Sequence, residues 1–188
     1  MLDDAASGPD PIDLYRRATA RAVQVVAAVE PDQLDRSTPC VEWTVQDLID
    51  HLTGGTEYLL AALAGRPPVP PVGTDANDYR EGVEAVLVGL AEPGALGRTC
   101  TSPLGFEWPI EQAVAGTFMD VLIHTWDLAR ATGRDEHLDP VLVEACVAMF
   151  LPDMPERGRE AGIVGPAVEV RPDASPQEAL LGAMGRRT

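Results

Sequence analysis

The 188-residue chain contains no lysine: arginine supplies all 14 basic side chains, against 30 acidic ones, for a formal net charge of −16. A chain this acidic repels phosphate backbones, and no arginine block concentrates positive charge. Nucleic-acid binding and polybasic recruitment to a membrane are therefore not expected. No run approaches the roughly 18 apolar residues of a membrane span. Residues Met1 to Asp10 are small and acidic, with neither the basic start nor the apolar stretch of a signal peptide, and are expected to be flexible. Three cysteines, Cys40, Cys100 and Cys146, are odd in number, far apart and without a CxxC pair. That argues against a disulfide scaffold or a cysteine-rich zinc site, and for reduced thiols in a cytoplasmic protein. Neither a Ser-His-Asp pattern nor an activated-cysteine pattern is present, and we find no internal repeat.

What the sequence does have is helical periodicity over most of its length. One domain over residues 1–188 is expected from the length. Asp10-Pro11 opens a first helix running to about Val29, with Leu14, Ala18, Val25 and Val29 on its apolar face. Thr44 to Asp47 forms a capping box with Asp in the third position, opening a second helix that runs through Leu63 to Gly65. Pro67 to Pro71 reads as a stiff polyproline connector. A third helix spans Asn77 to Leu90, and Gly97 to Trp108 suits a short hairpin. Pro109 starts a fourth helix ending at Gly133, and Asp139-Pro140 a fifth ending near Phe150. Val168 to Val170 alternates like a short strand, and Ser175-Pro176 opens a last short helix. The predicted fold class is mainly α, a four-helix bundle with a hairpin and a small C-terminal appendage.

The fourth helix carries the most information. From Phe118 to Leu128 its apolar residues spread around most of the circumference, so burial is expected. Asp120, His124 and Asp127 nevertheless share one narrow sector, and buried ionisable groups must be paired or bound to a metal. Asp120 and His124 stand at i and i+4, a spacing that lets two side chains converge on one ion. A third ligand has to come from elsewhere. His137 lies in a polar segment and reads as a solvated loop residue, whereas His51 borders the apolar stripe of the second helix. Gly55 and Tyr58 share its side, the glycine leaving room for a ligand or a backbone and the tyrosine offering a hydrogen bond. A set of His51, Asp120 and His124 would leave a position open, with Asp127 orienting an imidazole or itself coordinating. The spacing alone also permits a plain buried ion pair of Asp120 with His124, and a His51 that is only a core or surface residue. Trp43, Trp108 and Trp126 read as core anchors, and Cys40 as an inert buried thiol rather than a redox one.

Two stretches resemble a known family. Thr38-Pro39-Cys40-Val41-Glu42-Trp43-Thr44-Val45-Gln46-Asp47-Leu48-Ile49-Asp50-His51-Leu52 is similar to the first signature of the mycothiol-dependent maleylpyruvate isomerase N-terminal domain. Asp120 to Gly133 is similar to the second. Gly165 to Val170 with Leu180 to Arg186 resembles the tail of a smaller metal-binding branch of the same DinB-like superfamily. The resemblance runs from about Pro11 to Arg187. It implies a DinB-like four-helix bundle holding one divalent metal ion on His51, Asp120 and His124, zinc being the usual ion and nickel or iron the alternatives. It also implies a low-molecular-weight thiol such as mycothiol as cosubstrate. The isomerase carries glutamate in the place of Asp120 and has a larger C-terminal domain, so fold and metal carry over more directly than substrate.

The expected function is thus a metal-dependent thiol S-transferase or isomerase acting on a small-molecule electrophile, with Asp127 and Tyr58 as orienting groups. Two alternatives are a metal-dependent hydrolase, with Asp127 or Glu57 as base, and a non-enzymatic metal- or small-molecule-binding module. A homodimer is a further expectation.

Overall fold

A computed structural model describes residues 9–151 and 153–188, so most of the expected flexible start lies outside the described residues. Asp10 caps α1 (Pro11–Ala27) by accepting from the Ile12 amide at 3.0 Å, and proline fills the first turn. Leu14, Tyr15, Ala18, Ala22, Val25 and Val26 are buried along one side of this helix. Thr44 and Asp47 form the expected reciprocal capping box on α2 (Val45–Ala64), and Gly65 ends it in a left-handed conformation. Asp75 caps α3 (Ala76–Leu90).

The connector between α2 and α3 is tied down rather than free. Asp50 accepts from the Gly73 amide at 2.8 Å and from both the amide and hydroxyl of Thr74 at 2.7 Å. Arg66 adds a two-pronged pair to Glu57 at 2.6 and 3.0 Å. This long crossover lets α3 run parallel to α2. The register is visible in two glycines: a Cβ on Gly82 would strike Thr56, and one on Gly89 would lie 2.8 Å from the Leu63 side chain. Glycine at both positions brings the helices close.

The hairpin forms where expected, from β1 (Thr99–Thr101) and β2 (Glu107–Pro109), with Cys100 opposite Trp108. It leads into α4 (Ile110–Thr132), which is buried on nearly every side from Thr117 to Ala129. That matches the expectation from its all-round apolarity. Beside α4 packs α1, and Ala18 shares a small cavity with Leu122 and Thr125. The Gln33 side-chain Nε2, after the end of α1, donates to the Thr132 carbonyl at the end of α4 (3.5 Å). The two helices therefore run the same way, opposite to α2 and α3. The bundle order is up, down, down, up.

The C-terminal part consists of α5 (Pro140–Phe150), α6 (Met154–Glu160) and α7 (Pro176–Ala183), with α7 packed on α5. Two expectations need correction here. No helix was expected at Met154–Glu160, where the proline and glycine give no apolar period. The strand expected at Val168 to Val170 is not formed. That segment instead lies extended across α7, the Val168 amide donating to the Gly182 carbonyl at 2.9 Å. No described helix is long and apolar enough to cross a membrane.

Candidate metal centre

Antiparallel packing of α2 on α4 brings His51 to Asp120. His51 Nε2 lies 3.0 Å from Asp120 Oδ2, and His124 Nε2 lies 3.3 Å from Asp120 Oδ1. The three ligand atoms of His51, Asp120 and His124 all lie within 4.8 Å of one another. Tetrahedral zinc with bonds of about 2.0–2.1 Å needs donors roughly 3.3 Å apart, and each histidine lies at about that distance from one of the two Asp120 oxygens. Two imidazoles and a carboxylate also form a donor set suited to zinc. The site is not sealed: the His51 and Asp120 side chains are 36% and 34% exposed, while that of His124 is 11% exposed.

Electrostatics bind the three groups together without an ion. Burial raises the Asp120 carboxyl, but the His124 and His51 imidazoles together outweigh it and hold the group well below the usual carboxylate range. Burial opposes the charged form of His124, yet Asp120, with help from Asp127 and Cys40, pushes its pKa well above that of free imidazole. Both ring nitrogens of His124 face a carboxylate, so both carry protons in this arrangement.

Asp127 stands on the far side of His124, where an orienting group was expected. Its side chain is 0% exposed, and Oδ2 accepts from His124 Nδ1 at 2.9 Å. Burial raises this carboxyl, and the bonds from His124 and Arg186 lower it below its ordinary value. Arg186, beyond the end of α7, donates Nη2 to Asp127 Oδ2 at 2.7 Å and Nε to Oδ1 at 3.2 Å. Its own ionisation is opposed by burial and reinforced by Asp127 and Cys40, and the balance raises it.

Cys40 completes this second layer. Its thiol donates to Asp127 Oδ2 at 3.3 Å, receives Arg186 Nη2 at 3.4 Å, and lies 3.6 Å from His124 Nδ1. Cys40, His124 and Asp127 thus make a second convergent group. A guanidinium already occupies the cationic place there, so the His51, Asp120 and His124 group suits an ion better.

The loop before α2 delivers both Cys40 and Trp43. Ser37 bridges to Thr44, the Trp43 amide donates to the Cys40 carbonyl at 3.2 Å, and Glu42 between them has a φ of 66°. Trp43 was expected in the core but is only half-buried. Its ring centroid lies 4.8 Å from that of His51 and 5.8 Å from that of His124, making it a wall of the site. Trp126 is the true core anchor at 1% exposure.

Other sequence candidates fall elsewhere. The Tyr58 hydroxyl accepts from Trp108 Nε1 at 2.9 Å and donates to the Thr101 carbonyl at 3.1 Å, so it braces the hairpin rather than a ligand. Glu57 is held by Arg66 and by the Val69 amide on the connector side of α2, which removes it as the base a hydrolytic site would need. Gly55 admits α4: an added Cβ would sit 3.6 Å from Thr117. The His137 side chain is 92% exposed, as expected of a solvated residue. Cys40 and Arg186 were missed as site residues. Their contacts to Asp127 span 87 and 59 residues, beyond the reach of any local pattern.

Comparisons with known proteins bear on the family and the fold. Residues 15–86, which include His51, match the model of the mycothiol maleylpyruvate isomerase N-terminal domain. Two uncharacterized proteins of Mycobacterium tuberculosis, from strains CDC 1551 / Oshkosh and ATCC 25618 / H37Rv, are each 36% identical over 179 residues. The match covers 92% of this chain and 97% of theirs. The crystal structure of the mycothiol-dependent maleylpyruvate isomerase superposes with a TM-score of 0.57 at 15% identity, covering 72% of this chain. A histidine-to-alanine mutant of that isomerase gives the same TM-score at 14% identity. These likenesses show a shared fold, and the chain spans 66% of the isomerase's length.

Proposed function

The chain belongs to the mycothiol maleylpyruvate isomerase N-terminal domain family, and from that membership and the site geometry we propose that it is a metal-dependent isomerase or S-transferase using a low-molecular-weight thiol such as mycothiol. The observation that carries the reading is the convergence of His51, Asp120 and His124 from two helices on one partly exposed point. A bound divalent ion, zinc in this proposal, would lower the pKa of a coordinated thiol from about 8.5 and favour the thiolate.

The chain's own residues would hold and shape that centre. Asp127 accepts a hydrogen bond from His124 Nδ1–H, which would leave Nε2 as the ligating nitrogen and fix the ring plane. Arg186 neutralises Asp127, so that the buried carboxylate need not be satisfied by the histidine alone. The indole of Trp43 excludes water from one side of both imidazoles. His51 and Asp120 are partly exposed, which would keep the centre open to a small thiol and a small electrophile.

The test is elemental analysis of purified, metal-replete protein, wild type beside His51→Ala and His124→Ala. About one equivalent of ion in wild type, lost in both variants with helical circular dichroism retained, is the expected result. Wild-type protein that retains no ion would overturn the proposal and leave the ionisable cluster as a buried pair network. With the ion established, turnover of an electrophile should require added thiol. Turnover at the same rate without thiol would favour metal-assisted hydrolysis.

A further inference from the structure

Two tyrosine hydroxyls are enclosed within the bundle and have no protein partner: Tyr15 on α1 and Tyr79 on α3, both 0% exposed. Phenylalanine would fill the same space without burying a hydroxyl, so an orphaned pair calls for a ligand. Both residues stand at the level of the candidate metal centre. Thr56 faces Gly82 in the parallel packing of α2 on α3, which places Tyr79 one turn earlier, near the level of Thr53 and His51. Ala18 shares a cavity with Leu122 and Thr125 in the parallel packing of α1 on α4, which places Tyr15 near the level of Asp120. Ionisation of Tyr79 is opposed first by burial, then by Tyr15, then by the Asp120 charge, so the three groups lie within electrostatic reach.

We infer that Tyr15 and Tyr79 hold an enclosed water molecule that donates a hydrogen bond to Asp120, making the two tyrosines positioning residues for that carboxylate. An interior water needs two to four polar partners, and two hydroxyls with one carboxylate supply three. Asp120 has room for it: Oδ2 faces His51 and Oδ1 faces His124, leaving half of the four lone-pair positions of a carboxylate. The water would matter most with an ion bound, when the Nε2 lone pairs of His51 and His124 would face the ion. Asp120 would then lose these two imidazoles as hydrogen-bond donors, and its free oxygen would need a replacement donor. This inference rests on the reading of Asp120 as a ligand.

The test uses the full chain with Tyr15→Phe, Tyr79→Phe and the double variant. Zinc affinity is measured by competition with a chelator, the visible spectrum of the cobalt-loaded protein reports ligand geometry, and thermal unfolding is followed without metal. A fall in zinc affinity of about tenfold or more in each single variant is expected, as for loss of an outer partner of a ligand. The double variant should be no worse than the weaker single one, because one water is lost in each case, and the cobalt spectrum should shift in all three. Smaller changes in affinity in both single variants overturn the inference while leaving the metal reading intact. Wild type that takes up no zinc overturns the metal reading separately, and the water is then decided on the metal-free protein. Single variants with a lower Tm support it; an unchanged or higher Tm, as on removal of an unpaired hydroxyl, overturns it.

Discussion

Asp127 carries three donors from three parts of the chain: His124 on its own helix, Cys40 from the loop before α2 and Arg186 from beyond α7. A side chain at 0% exposure that keeps its charge depends on all of them. Arg186→Ala removes the strongest, the two-pronged guanidinium, and leaves the carboxylate with the His124 imidazole and the weak Cys40 thiol donor. The expected cost is about 3 kcal/mol, the lower end of the range for breaking a buried pair, because His124 remains. Urea unfolding checks it: a loss below about 1 kcal/mol would mean that His124 and Cys40 compensate Asp127 without the guanidinium. Arg186→Lys should recover only part, since a compact ammonium cannot donate two parallel bonds. At this scale the sequence was legible where partners share a helix. Asp120, His124 and Asp127 declared themselves through i, i+3 and i+4 spacing, and His51 by elimination among three histidines. Arg186 and Cys40 could not be found this way, because nothing in the local pattern of a C-terminal arginine marks a buried anion so far back in the chain. Trp43 was misplaced for a related reason: its size argues for the core, and only the loop geometry turns it to the histidines.

Helix boundaries were legible because their chemistry is local. Asp10, Thr44, Asp75, Asp139 and Ser175 all accept from first-turn amides, and Gly65 and Gly133 end α2 and α4. Elements set by tertiary packing were not. Among the residues of α6 only Pro155 and Gly158 are buried, so it has no apolar face to read. Val168 to Val170 alternates like a strand but pairs with neither β1 nor β2, which form a two-stranded sheet with each other. It packs against Gly182 of α7 instead. A Cβ there would lie 2.5 Å from Val170 Cγ1 and 2.9 Å from the Val168 carbonyl oxygen, which is backbone and cannot rotate away. Gly182→Ala should therefore cost about 1–3 kcal/mol despite alanine's better helix propensity. Because α7 leads directly to Arg186, the same change should loosen the arginine's hold on Asp127. Thermal unfolding measures the first effect; a Tm at or above wild type would show that the Val168 to Val170 segment simply moves aside.

In the whole molecule, the up, down, down, up order explains why the site is where it is. With α2 and α3 parallel, their glycine-lined contact closes one side of the bundle, and α2 is left to meet α4 antiparallel at His51 and Asp120. The order of the helices was not legible, because a connector the length of residues 65–75 can reach either end of the next helix. Stability in this arrangement comes from the packing of α4 in the core, where Phe118, Trp126 and Leu128 are at most 1% exposed. Burial of three such side chains outweighs what one ion on a partly open site contributes. Chelation of the metal-replete protein should then leave the helical signal in place and lower Tm only according to mass action. That shift corresponds to about 2.7 kcal/mol when free metal stands at a hundred times its Kd. An ion that were structural would behave otherwise, since its binding energy would be folding energy and its removal would abolish the helical signal. Circular dichroism melts across a series of free zinc concentrations separate the two. A Tm that rises with the logarithm of free zinc from a folded metal-free baseline supports an open, substrate-facing centre. Loss of helix on chelation would turn the ion into a staple of the bundle and leave the protein a binding module rather than an enzyme.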